Sequence, residues 1–167
     1  VNAANTPGDA DATPSLFKIT QPGSYYLTGN ITGVSGRHGI EIAASGVTID
    51  LNGFDFAGVP GSLDGIAADG GSVESAQVLN GTVRNWAGYG VNLETPPVPN
   101  SRIRDVIAAH NGFGGIHVGP SAVMSGCTAY QNTGTGIVVL TGGNVSGCTS
   151  HSNTGGGYAV NAGGTIS

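Results

Sequence analysis

The sequence predicts an all-β coil, in which short parallel strands wind so that each circuit of the backbone lies on the one before it. Three observations predict it. The first is a repeated phrase of glycine, an apolar residue, any residue, then an apolar or small residue. It reads Gly39-Ile40-Glu41-Ile42, Gly65-Ile66-Ala67-Ala68, Gly90-Val91-Asn92-Leu93, Gly115-Ile116-His117-Val118, Gly136-Ile137-Val138-Val139 and Gly157-Tyr158-Ala159-Val160, at offsets of 26, 25, 25, 21 and 21 residues. The second is strict apolar alternation within the units, clearest in Val47-Thr48-Ile49-Asp50-Leu51, which marks period-two strands. The third is the lack of any helical apolar stripe, so parallel strands cannot be joined by packed helices and must follow one another around a coil.

In chain order, residues 1–15 are poor in apolar side chains and broken by Pro7 and Pro14. They read as an extended arm, with Val1 and Asn2 at its tip, that could order on a neighbour. Residues 16–33 carry Phe17, Ile19, Tyr25, Tyr26 and Leu27 and read as N-terminal capping strands. Residues 34–167 are the repeats, about six turns, or a rod on the order of 30 Å long at ~4.8 Å per turn. Two units are lengthened by loops, 59–63 and the proline-rich 94–100. The last rung, with Tyr158, Val160 and Ile166, is expected to leave apolar columns and strand edges open.

Side chains alternate across a strand, so the two apolar positions of each phrase should face inward and stack, Ile40 on Ile66 and Val91 on Ile116, while Glu41, Ala67, Asn92, His117, Val138 and Ala159 face outward. Asn111, Asn132 and Asn153 recur at 21 residues before a turn, where Asn tolerates left-handed backbone; they read as an internal asparagine ladder. Cys127 and Cys148 are equivalent positions one turn apart. Strand spacing of ~4.8 Å falls within the Cα range of a disulfide, yet directly paired parallel positions disfavour its torsion, so a thiol ladder and a disulfide both stay open.

The G-I-x-I rungs, the phrase Ile19-Thr20-Gln21-Pro22-Gly23-Ser24-Tyr25-Tyr26-Leu27 and Val47-Thr48-Ile49-Asp50-Leu51-Asn52-Gly53 resemble right-handed parallel β-helix repeat proteins of the pectate-lyase-like superfamily. The resemblance implies a right-handed parallel β-helix from about residue 16 to the last residue, and leaves function open, because that superfamily includes lyases, hydrolases, tailspikes, adhesins and noncatalytic surface proteins.

Only 9% of residues are charged and the formal net charge is −5; Lys18, Arg37, Arg84, Arg102 and Arg104 are scattered, which argues against nucleic-acid binding. No apolar run is long enough to span a bilayer. The absence of an initial Met and of a basic-then-apolar leader fits either a secreted protein after signal removal or a trimmed piece of a longer chain, and secretion is the expectation. Enzymes that resemble this fold carry acidic clusters, often with calcium, on the outward face; no such cluster is evident, and the catalytic candidates reduce to His38 stacked with Asp64. His110, His117 and His151 lack zinc spacing, and no metal or cofactor is expected. Arg84, Arg102 and Arg104 with Asp105 read as solvated surface pairs. Sequons at Asn30, Asn80 and Asn144 could carry glycans.

The leading expectation is therefore a noncatalytic extracellular structural protein whose subunits stack head to tail into a filament, the partner being another copy of itself. The expected contacts are Val1, Asn2, Phe17, Ile19, Tyr25 and Tyr26 at one end and Tyr158, Val160 and Ile166 at the other. Two alternatives stand beside it: a carbohydrate-active lyase or hydrolase, and a glycan-binding adhesin module using Tyr89, Trp86 and the proline loop, although Trp86 also reads as a corner-packing residue.

Overall fold

A computed structural model describes Val1 and residues 6–167. Among the described residues there is no helix, and the chain coils as a parallel solenoid with three strands per turn. The first face stacks Ser15–Ile19, His38–Ile42, Ile66–Ala68, Val91–Leu93, Ile116–Val118, Ile137–Val139 and Tyr158–Val160. The second begins with Gly23–Tyr26 and Val47–Asp50 and continues through Val123–Ser125, Asn144–Ser146 and Thr165–Ile166. The third holds Ile31–Thr32, Asp55–Ala57, Thr128–Tyr130 and Thr149–His151. Between these, the longer strands Gln77–Arg84 and Arg102–Ala109 bend across the edge and contribute to both the second and third faces.

Residues 16–33 are more than a lid. Phe17 pairs with Ile40, Lys18 with Glu41 and Ile19 with Ile42, so this stretch supplies a first-face rung that lacks the marker glycine. Its two further strands pair with Val47–Asp50 and Asp55–Ala57 and complete a turn. The arm is, in its described parts, held to its own chain. The Val1 ammonium donates to the Tyr26 carbonyl at 2.7 Å, Thr6 is buried, and the Lys18 amide donates to the Pro7 carbonyl at 3.3 Å. Asn2 lies outside the described residues.

The inward columns have the expected register: Ile40 on Ile66, Ile66 on Val91, Val91 on Ile116, Ile116 on Ile137 and Ile137 on Tyr158. These residues join one apolar core running the length of the coil. Each large aliphatic buried there contributes roughly 1.5–3 kcal/mol before ordering entropy is subtracted. The marker glycine has a steric cause. A Cβ on Gly39, Gly65 or Gly90 would lie 2.5–2.8 Å from the carbonyl oxygen of the glycine in the next rung, an obstacle made of backbone.

From the third turn onward, two of the corners are each turned by one residue with left-handed backbone. Asn80, Asp105, Gly126 and Gly147 turn from the second face to the third, and Asn85, His110, Gln131 and Ser152 from the third back to the first. The asparagines expected at the second of these corners are displaced by one position. Left-handed φ belongs to His110 (56°), Gln131 (53°) and Ser152 (56°), and the following Asn111, Asn132 and Asn153 turn their side chains inward. This frees each amide to bond along the coil axis.

Candidate functional site

The alternation predicts that the outward column of the first face points away from the core. The alternation holds, but Glu41, Ala67, Asn92 and His117 are all buried, because loops and the N-terminal segment lie over them. A band of polar contacts results. At its upper end Lys18 Nζ stands 2.6 Å from Asp9, 2.9 Å from Asp11, 2.8 Å from Asp69 and 3.4 Å from Glu41. Asp9, Asp11 and Glu41 place carboxylate oxygens within 4.8 Å of one another, close enough to share a cation, and the ammonium of Lys18 sits among them. Burial pulls the Lys18 pKa down, but hydrogen bonds to Asp69, Asp9 and Asp11 outweigh it and hold the group well above the ordinary lysine range. Burial pushes the Glu41 carboxyl up, against the opposing pull of Thr13 and Lys18. The cluster pins the N-terminal segment across the first two rungs.

The structure brings His38 and Asp64 together, in a role unlike catalysis. The Asp64 amide donates to His38 Nδ1 at 3.1 Å, so that nitrogen is an acceptor. The Asp64 carboxylate accepts the Tyr89 amide at 2.7 Å and Asn92 Nδ2 at 3.0 Å, which ties adjacent turns and occupies both its oxygens. Further along the band, the two ring nitrogens of His117 lie 3.0 Å from Glu94 Oε2 and 3.0 Å from the Thr135 carbonyl. Tyr89 packs on this ring at 4.6 Å and on the exposed Phe113 at 5.7 Å. The proline loop closes over the same face, with Val98 buried and its amide bonded to the Leu93 carbonyl at 2.9 Å.

The second face differs. Its outward positions Ser24, Tyr26, Arg102, Arg104, Val123, Asn144 and Thr165 are exposed, and no loop crosses them. Two shallow cavities adjoin there. One, of about 250 Å3, is lined by Gln77, Leu79, Arg102, Arg104, Val123 and Ser125. The other, of about 320 Å3, is lined by Tyr26, Thr48, Asp50, Asn52 and Leu79, so Leu79 is common to both. Arg102 and Arg104 flank the buried Ile103 and therefore point to the same side. Arg104 Nε lies 3.5 Å from Asp105, the pair expected from sequence. Among the described residues the Arg102 guanidinium has no hydrogen-bond or ion-pair partner, whereas Arg84 is engaged in two-pronged contact with Asp55. From sequence these arginines read only as solvated pairs; the Arg-x-Arg alternation within a strand is the signal that could have placed them on one surface.

The remaining candidates separate by burial. Of the expected assembly contacts, Ile19 is fully buried, Phe17, Tyr25, Tyr158 and Val160 are half-buried, and Tyr26 and Ile166 are exposed. The buried Ile19 is thereby removed from any contact surface. Trp86 is 1% exposed, packs on Phe56 at 5.0 Å and donates from Nε1 to the Phe56 carbonyl, so it belongs to the corner core and is closed to a glycan. Asn30 and Asn144 are exposed, while Asn80 donates to Asp50 at 3.2 Å. The asparagines bond in series, Asn111 Nδ2 to Asn132 Oδ1 at 3.0 Å and Asn132 Nδ2 to Asn153 Oδ1 at 2.9 Å, and both cysteines are free thiols.

Three parallel faces and an inward asparagine ladder define a parallel β-solenoid. Residues 19–167 match the family described as right handed beta helix region, and the chain belongs to that family, which makes the coil right-handed. Neither curated proteins nor solved structures give a match. Among the described residues no helix is long and apolar enough to cross a membrane.

Proposed function

We propose that the protein is a noncatalytic, extracellular module that binds an acidic polysaccharide along its second face. The observation that carries this reading is the unpartnered guanidinium of Arg102 beside Arg104, both lining one of two adjoining cavities on the exposed second face. A guanidinium offers paired donors that match a carboxylate or sulfate, and it retains more of that capacity when no protein acid is already bound to it. Tyr26, Asp50, Asn52 and Gln77 extend the surface with an aromatic ring and groups able to bond sugar hydroxyls. The wide, shallow shape suits a polymer lying across rungs better than an enclosed small molecule. Retardation in gels containing polygalacturonate or alginate, against neutral dextran, tests the reading. Arg102→Ala with Arg104→Ala should weaken binding roughly tenfold or more, at about one order of magnitude per 1.4 kcal/mol. Equal retardation by dextran, or binding indifferent to both arginines, would refute it.

A second reading, copies of the chain packing on one another, is favoured by the apolar surface of Ile166, 56% exposed, with the half-buried Val160 in the same turn. It predicts particles larger than one chain by light scattering, reduced to single chains by Ile166→Asp. A single-chain mass across the accessible concentration range removes this reading.

A further inference from the structure

We propose that Cys127 and Cys148 form a reversible dithiol–disulfide couple, with Cys148 the attacking thiol and Cys127 the resolving one. The two residues follow the left-handed glycines Gly126 and Gly147 at the same corner of successive turns. The strands that leave this corner pair Thr128 with Thr149, and the Thr149 amide donates to the Cys127 carbonyl at 2.8 Å. This register holds the two backbones about 4.8 Å apart, within the Cα separation a disulfide spans. One side chain also reaches toward the other residue: the Cys127 amide donates to Cys148 Sγ at 3.4 Å, so the Cys148 sulfur leans onto the turn that carries Cys127.

The two sulfurs differ in access and in charge. Cys127 is 1% exposed, and its thiol points to the Ser125 and Ile103 carbonyls at 3.4 and 3.6 Å. Cys148 is half-buried, the more exposed of the two. Hydrogen bonding with Cys127, first through its side chain and then through its amide, outweighs burial and brings the Cys148 pKa to about 7, while the same contact and burial push Cys127 up. A thiolate is the reactive form, so the more exposed cysteine is also the nucleophilic one.

The chemistry is thiol–disulfide exchange with a low-molecular-weight disulfide, R–S–S–R. The Cys148 thiolate attacks one reagent sulfur, the S–S bond breaks, and RS⁻ leaves, which gives a Cys148–S–S–R mixed disulfide. Cys127 loses its proton and attacks the Cys148 sulfur, and a second RS⁻ leaves. Two electrons pass from the protein thiols to the reagent and two protons are released, and a thiol in excess reverses both steps. The raised pKa of Cys127 makes the second step the slower one.

Ellman's reagent on the whole chain, followed by intact mass, tests this. The expected result is fast release of one thionitrobenzoate and slower release of a second, ending in a monomer lighter by two hydrogens with no adduct. Cys127→Ser should release one equivalent at the same fast rate and retain the adduct. Cys148→Ser should react at least tenfold more slowly than the wild-type fast phase. A wild-type product that keeps an adduct, pairs with a second chain, or fails to react without denaturant overturns the proposal, as does a fast Cys148→Ser. Serine differs from cysteine by one atom, and a circular dichroism spectrum matching the wild type confirms that each variant is folded.

Discussion

A single oxygen of Asn132 accepts two hydrogen bonds from Asn111: Oδ1 lies 3.0 Å from the Asn111 backbone nitrogen and 3.0 Å from its Nδ2. The same pattern repeats between Asn132 and Asn153, and the series ends where the Trp86 amide donates to Asn111 Oδ1 at 3.1 Å. Each ladder rung thus satisfies one backbone donor at a corner that strand pairing leaves unserved.

Asn132→Ala should destabilise the protein by about 2–4 kcal/mol, because it strands two donors of Asn111, itself 1% exposed. Urea unfolding measures this. Asn153→Ala, at the half-buried end of the series, should cost less. A change below about 0.5 kcal/mol for Asn132→Ala would mean that water replaces the ladder.

Gly115→Ala should cost about 2 kcal/mol or more, since the new methyl would be driven into the Gly136 carbonyl oxygen and would lie 2.9 Å from the Ala129 Cβ. Gly29→Ala provides the contrast, as nothing lies within 4 Å of its Cβ position. The pair separates steric exclusion between rungs from a general cost of adding methyls, and equal thermal midpoints for the two variants would contradict the account.

Glu41 gives a signed dependence on pH. Its folded pKa is raised, chiefly by burial, so its contribution favours the fold fully below the unfolded value of about 4.3 and is lost as pH rises through the folded value. Glu41→Gln, which cannot ionise, should therefore be neutral to stabilising at pH 7, and this advantage should shrink as the pH falls below about 4. The difference between the two melting curves isolates Glu41 from Asp11, whose carboxyl Lys18 holds below the usual range and which acts in the opposite sense. A Glu41→Gln penalty that grows toward neutral pH contradicts the assignment.

Lys18→Met removes the cation on which Asp9, Asp11, Asp69 and Glu41 converge. Uncompensated carboxylates in a partly buried cluster should cost about 3 kcal/mol and release the N-terminal segment. Limited proteolysis should then cut ahead of Ser15 while the coil persists; unchanged protection of that segment would show that Lys18 is not the clasp.

Much of the coil was legible because strand alternation and a constant circuit length are local properties. The spacing of Ile116, Ile137 and Tyr158 identifies them as stacked neighbours, and the pairing has that register. Leu16-Phe17-Lys18-Ile19 was harder to read as a rung, since its lack of glycine hid its kinship with Ile40-Glu41-Ile42. Trp86 was legible as a corner residue, and its burial removed it from the glycan surface. His38 and Asp64 were correctly placed side by side, but spacing alone could not show that the Asp64 carboxylate is consumed by the Tyr89 amide and Asn92.

Sequence alone thus determined which residues stack: the fold class, the inward columns and the recurring corners all follow from a two-residue alternation inside a nearly constant repeat. Tertiary structure decided which outward surface stays open. That depends on segments remote in the chain, Lys18 reaching Asp69 and Glu94 reaching His117, whose polar contacts and loops close the first face while Arg102 and Arg104 remain in solvent on the second. Periodicity encodes the direction of a side chain relative to its strand, but its exposure is set by whatever else folds over it.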